Sequence, residues 1–509
     1  MLRNSFIEEQ KIEDQISHVI VLMQENQSFD RILGDVTSVK PECEGIDKNK
    51  LLYNVDLQGN KIYQQLTTDK QMEFDPFHEV ANVRKQLSQN NGGFVQDFIT
   101  QYPKSTLKDR QSIMGYYPYG FLPAIHALAK EYTICDHWFA SVPGPTWTNR
   151  FFALSGTSMG RVEMPDASKD PDLKEIFYQR QDSIFDRLNE KKISWRTYCG
   201  DFPISLVLAQ NRRPDNLIHY RRMKEFYKDV SGPEEKFPAF TFIEPKYMGR
   251  NQNDDHPPHN TMKSQKLIGD VYNAIRANES LWKKTLFIVT YDEHGGFYDH
   301  VIPPAAVSPD GLNKEGFDFT QLGLRVPAIL ISPWVRKSVE KTVFDHTSIL
   351  RYLSDKWDLG SLGDRTKFAN SIGVALDFSK GARENCLPFI EISEDKLISE
   401  KPHLEKHAAN GNQEAIHRFV ELLNKEHPVF SMNFPVLSRI ADCKDRIGEK
   451  LEAYGYIRLG MWCRKDADEY REKRIARTRT FIKNFLENPR EMENEKEEKS
   501  KKTAITHSL

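Results

Sequence analysis

Two short apolar runs set the terms on which this chain can fold. Ser17–Gln24 (SHVIVLMQ) and Leu286–Tyr291 (LFIVTY) are strand-sized and apolar almost throughout. Polar residues follow each at once: Glu25-Asn26-Gln27-Ser28 after the first, Asp292-Glu293-His294-Gly295-Gly296 after the second. A continuous apolar run of this length suits a strand buried on both faces. Val326–Ser332 (VPAILIS), closed by Pro333, is a third such run, and amphipathic helical stretches such as Leu122–Glu131 and Ser183–Glu190 lie between the runs. Strands alternating with helices imply an α/β fold with a mostly parallel central sheet flanked by helices. In such sheets ligands sit beyond the carboxyl ends of strands, where these polar turns fall.

From about Phe378 the strand-like runs stop and the chain becomes helix-prone and charge-rich, as in Asn412–Lys425 and Glu469–Leu486. The expected division is a catalytic unit over 1–377, a helix-rich region over 378–486 and a disordered Glu/Lys-rich tail over 487–509. No apolar run approaches the roughly 18–20 residues of a membrane span, so any lipid must be reached from the water side. Net charge is −2, from 71 basic and 73 acidic residues with no basic stripe, which argues against nucleic acid as a partner. Six scattered cysteines without a CxxC pair do not make a disulfide framework. The N-terminal stretch MLRNSFIEEQKIEDQ lacks the apolar core of a signal peptide. Synthesis in a bacterial cytoplasm is expected, with any export by a route that does not read the N-terminus.

The chemistry gathers at the strand ends. Carboxylates from Glu25-Asn26 and Asp292-Glu293, if brought into one cleft, repel each other, and a divalent cation is the usual relief. One such dipeptide alone is most simply a solvated loop; two ending buried strands carry more weight together. Between them, Ser141–Arg150 (SVPGPTWTNR) reads as a tight turn leading into a helix. A hydroxyl there faces backbone N–H groups and the positive end of the helix dipole, where a phosphate would bind. A metal nearby would make that hydroxyl a nucleophile. Taken alone, Thr146 is more simply a helix cap.

The ordered set SHVIVLMQENQSFDRILG, MGYY, LPAIHALAKEYTICDHWFASVPGPTWTNR, SIFDRLNEKKISWRTY, DHPP and YDEHGGFYDHV runs from Ser17 to Val301, within a likeness that extends to about Trp357. It resembles the phosphoesterase family of bacterial phosphatidylcholine-hydrolysing phospholipases C and related acid phosphatases. The resemblance implies an alkaline-phosphatase-like fold. On its motifs it implies that Glu25, Asn26, Asp292, Glu293 and the oxygen of Thr146 hold one divalent metal, with Thr146 the nucleophile. Asn149 would aim its amide at a phosphoryl oxygen, and His78 (in DPFH) and His256 (in DHPP) would contact phosphoryl oxygens or protonate the leaving alkoxide. Trp147 and His294 would lie beside the substrate, although for His294, as for His346, a place hydrogen-bonded beneath the site is as readily expected as a direct role; Thr148 stands where family members often carry Pro, leaving a second hydroxyl nearby. An all-oxygen ligand set by itself favours calcium, magnesium or manganese; the resemblance implies zinc, which is favoured here, with calcium or manganese as alternatives.

The expected activity is hydrolysis of phosphatidylcholine-type lipids to diacylglycerol and phosphocholine at a membrane surface. A broad acid phosphatase would share the same phosphoryl site. A non-catalytic, membrane-binding relative would have lost a ligand or the nucleophile, and none is missing. Met114–Leu122 (MGYYPYGFL), Trp138 and Trp147 are expected to form an aromatic wall beside Thr146. The tail, with Glu487, Glu491, Glu493, Glu495, Glu497 and Glu498, resembles the glutamate-rich C-terminal signals of type IV secretion effectors; it is otherwise a solvated tail with no address.

Overall fold

The computed structural model describes residues 14–165, 170–249, 251–393, 397 and 410–426. The expected tail over 487–509 and the helical stretch Glu469–Leu486 lie outside the described residues.

Eight strands form the central sheet: β1 (His18–Gln24), β2 (Thr133–Cys135), β3 (Trp195–Cys199), β4 (Tyr220–Arg222), β5 (Phe240–Glu244), β6 (Thr285–Tyr291), β7 (Ala328–Ile331) and β8 (Val339–Glu340). Their order across the sheet is β8-β2-β7-β6-β1-β5-β3-β4. Every neighbouring pair is parallel except the two made by β7. The three apolar runs of the sequence are β1, β6 and β7, and the fold is α/β with a mostly parallel sheet. β1 and β6 are buried at all seven positions because helices cover both faces. Burying one Ile, Val, Leu or Phe side chain contributes about 1.5–3 kcal/mol, and Ile20, Leu22, Phe287 and Val289 sit at the centre of this core.

Five helices matter below: α1 (Pro123–Glu131), α2 (Thr146–Ser155), α3 (Thr261–Ala277), α4 (Thr347–Trp357) and α5 (Gly411–Glu426). Pro123 opens α1, where its missing N–H costs nothing. α2 is buried along its whole length and stops at Gly156, whose φ of 73° favours glycine. A Cβ there would come within 2.0 Å of Leu362 O. Among the described residues no helix is long and apolar enough to cross a membrane.

The expected boundary near residue 378 is not a break in packing. Ile390, Ile416, Phe419 and Leu423 belong to the same apolar core as the sheet, and Asn273 on α3 bonds the backbone of Ile390 in both directions. The charge-rich α5 thus has an apolar inner face that packs on this core.

Candidate active site

The register between β1 and β6 runs from His18↔Thr285 to Gln24↔Tyr291, so both strands end level. Glu25-Asn26 and Asp292-Glu293 therefore leave the sheet side by side. Backbone bonds stitch the two turns: Asn26 N donates to Asp292 Oδ1 at 3.2 Å and Gln27 N to Glu293 O at 3.0 Å. Gly295, at a φ of 66°, packs so tightly on Asn26 that a Cβ would lie 2.1 Å from Asn26 O. Thr146 enters as the first residue of α2, with Pro145 rather than Thr146 in the cap position. Its Oγ1 donates to Asn26 Oδ1 at 3.5 Å. The five residues expected to hold a metal are thus gathered in one buried place.

Three buried carboxylates there face one guanidinium. Arg150 Nε donates to Asp292 Oδ2 at 2.9 Å, while its other nitrogens lie 3.7 Å from Glu25 Oε1 and 3.8 Å from Glu244 Oε2. Burial, reinforced by Glu25 and Glu293, pushes Asp292 up to about 8 in spite of Arg150. Burial also acts to raise Glu293, but His78 and His294 outweigh it and hold that carboxyl below its usual range. Glu293 Oε1 is buried and accepts no hydrogen bond, its near neighbour being His78 Nε2 at 3.8 Å. A bare carboxylate oxygen in an acid-rich pocket fits a bound cation. A different cluster, Asp30, Asp299 and His300, is also close enough to hold a metal. There Arg325 Nη2 lies 3.0 Å from Asp30 Oδ1 and its Nε 2.9 Å from Asp299 Oδ1, so those carboxylates already have their cation.

The histidines divide by what they touch. His256 places Nε2 3.0 Å from Asp75 Oδ1 and Nδ1 3.3 Å from Glu25 Oε2. Burial would lower its pKa, but the two carboxylates outweigh this and hold it well above the usual range, as a cation. His78 Nδ1 donates to Pro76 O at 2.8 Å, and its Nε2 lies 3.2 Å from Asn26 Nδ2. Its ring centre is 5.7 Å from that of His256. His294, expected either beside the substrate or beneath the site, lies beneath: Nε2 meets Gln86 Oε1 at 2.8 Å and Nδ1 is 3.3 Å from Glu293 Oε2. His346 lies beneath the site, donating from Nε2 to Asp292 O at 2.7 Å and accepting Trp138 Nε1 at 3.3 Å. Burial pushes it down to about 4, so it is neutral.

Two expectations need correcting. Asn149 does not point at a phosphoryl position: its Nδ2 donates to Val142 O, Gly144 O and Pro145 O, and its Oδ1 accepts from Val142 N. It braces the turn that presents Thr146. Trp147 is sealed in the core, with its indole N–H on Asn412 Oδ1 and its ring 6.1 Å from Phe419. Trp138 is buried as well, so neither tryptophan forms an open aromatic wall.

Sequence reasoning missed Arg150 as the site's cation, Asp75 as the partner of His256, Glu244 and Asn412. Glu244 carried a usable signal: it ends the strand FTFIE, repeating the pattern of a carboxylate beyond an apolar run. Asn412 carried none.

Residues 16–360 match the Phosphoesterase family. Non-specific phospholipase C1 of Arabidopsis thaliana is 31% identical over 430 residues, covering 77% of this chain and 78% of its own length. Hemolytic phospholipase C of Pseudomonas aeruginosa is 26% identical over 407 residues, covering 67% of this chain and 53% of its own. Among solved structures, a protein of the alkaline phosphatase superfamily from Vibrio parahaemolyticus shares 13% identity at a TM-score of 0.29, over 48% of this chain and 63% of that one. The matched span holds both strand-end pairs, Thr146 and the site histidines, and the chain belongs to the Phosphoesterase family of phosphoric-ester hydrolases.

Proposed function

We propose that this enzyme is a metal-dependent phospholipase C that cleaves phosphatidylcholine-type glycerophospholipids at a membrane surface. The observation that carries the reading is the meeting of Thr146 Oγ1 with Asn26 beside the buried carboxylates of Glu25, Asp292 and Glu293, the last of which keeps a bare oxygen. The relatives named phospholipase C support the lipid substrate. Glu25, Asn26, Asp292, Glu293 and Thr146 would hold one divalent ion, for which zinc is favoured. Such an ion, when bound, lowers the pKa of a nearby hydroxyl and offsets charge on phosphoryl oxygens.

The residues of the chain do the rest. Thr146 Oγ1 attacks phosphorus in line, giving up its proton to solvent water as the oxygen–phosphorus bond forms. The bond from phosphorus to the glycerol oxygen breaks, and His256, kept protonated by Asp75 and Glu25, gives that oxygen its proton. Water then attacks the threonine-linked phosphodiester: its oxygen joins phosphorus as the bond to Thr146 Oγ1 breaks, one of its protons returns to Thr146 and the other to His256, and phosphocholine leaves. Arg150 holds Asp292 in place throughout.

The test uses purified full-length protein, stripped by a chelator and resupplied with zinc, manganese or calcium. Release of phosphocholine from long-chain phosphatidylcholine should return with one ion and exceed release of phosphate from p-nitrophenyl phosphate. Fast turnover of the monoester with phosphatidylcholine untouched would replace this reading with a soluble acid phosphatase. Full activity after exhaustive chelation would remove the metal.

A further inference from the structure

Asn412 is the second residue of α5 and lies beyond residue 360, where the family match ends. It nevertheless reaches the centre of the site. Its Nδ2 donates to Glu25 Oε1 at 2.8 Å, across 387 residues of sequence. Its Oδ1 accepts the indole N–H of Trp147 at 2.8 Å. An indole nitrogen can only donate, so Trp147 decides which end of the amide faces Glu25, and it is the donor end. The other oxygen of Glu25 faces His256 Nδ1 at 3.3 Å. Both oxygens of this one carboxylate are therefore engaged by side chains whose own orientation is fixed elsewhere.

The helix that brings Asn412 is itself anchored. Ile416, Phe419 and Leu423 are buried, and Phe419 meets the rings of Trp147 and Phe177. Gln413 Nε2 adds a bond to Tyr247 O at 2.6 Å. Trp147 thus serves both as an apolar seat for α5 and as the polar hook that turns Asn412.

We propose that Asn412 is a positioning residue for the metal, fixing the Glu25 carboxylate in its ligating orientation under the control of Trp147. The inference rests on the reading of Glu25 as a metal ligand. A carboxylate already held by a donor loses less freedom on binding a cation than a free one does, and outer partners of this kind typically change metal affinity by about 10–100-fold when removed. Asn412 acts through Glu25 and does not touch the reacting atoms.

The experiment titrates zinc alone into chelator-stripped, full-length protein against a competing chromophoric chelator, with thermal melting of the metal-free protein as a separate readout. Asn412→Leu keeps the bulk and removes the donor; its zinc Kd should rise by about tenfold or more, with melting of the metal-free protein little changed. Trp147→Phe leaves the amide but frees it to turn, and should raise Kd in the same direction by a smaller factor. A folded Asn412→Leu with wild-type zinc affinity overturns the proposal. If that variant does not fold, an unchanged Kd in Trp147→Phe overturns it. Wild-type protein that binds no zinc, manganese or calcium overturns the metal reading of Glu25 itself, and this proposal with it.

Discussion

Thr146 and Asn149 lie three residues apart on one helix and do different work, and their variants should separate cleanly. Thr146 offers its hydroxyl to the centre, whereas Asn149 spends all its hydrogen-bonding capacity on the backbone of residues 142–145. Thr146→Ala is expected to lower turnover by at least about 10³-fold while melting at the wild-type temperature. Asn149→Ala leaves buried backbone groups unpaired and is expected to cost about 1–3 kcal/mol of stability, seen as an earlier thermal transition. An Asn149→Ala protein of unchanged stability but lost turnover would restore Asn149 as a substrate contact. The motifs made Thr146, Glu25, Asn26, Asp292 and Glu293 legible as a set, because each ends a strand or begins a helix. Asn149 was not legible, since an amide can meet a phosphoryl oxygen or a peptide oxygen and the sequence does not say which.

At the scale of elements, the site depends on two turns pressed together at the ends of β1 and β6. Gly295 is the point of contact, with positive φ and no room for a Cβ against Asn26. Gly295→Ala is expected to cost at least about 1–3 kcal/mol from backbone strain and to push Asn26 away from Asp292. Thermal melting and zinc titration together check this; a variant with wild-type melting and affinity would mean that the turns are not rigidly coupled. The long apolar strands were readable because burial on both faces demands an uninterrupted run. The antiparallel course of β7 was not, because an apolar run carries no direction. Short strands such as β2 (Thr133–Cys135) and β8 (Val339–Glu340) have too few residues to show any period.

For the whole molecule, stability against acid offers a test that does not depend on the chemistry. His126 on α1 bonds Ile32 O at 2.7 Å and accepts Gly120 N at 2.8 Å, tying the helix to the core as a neutral ring. Burial pushes its pKa from 6.5 down to about 4. The unfolded chain then binds the proton more readily, so this contribution is complete above about 6.5 and is lost as pH falls toward about 4. Over that window the loss approaches about 3 kcal/mol. The stability advantage of the wild type over His126→Gln, followed by denaturant unfolding, should shrink as pH falls from 6.5 to 4. An advantage that stays constant would mean that His126 is not held neutral.

The level ending of β1 and β6 also has a consequence in time. The bond between Asn26 and Asp292 closes a loop of 266 residues. At roughly 5–20 residues per second, synthesis leaves the first half of the site without the second for tens of seconds. Until residues 240–244 emerge as β5, β1 has neither of its eventual neighbours, β5 and β6, so its apolar face must be shielded by something other than its own sheet.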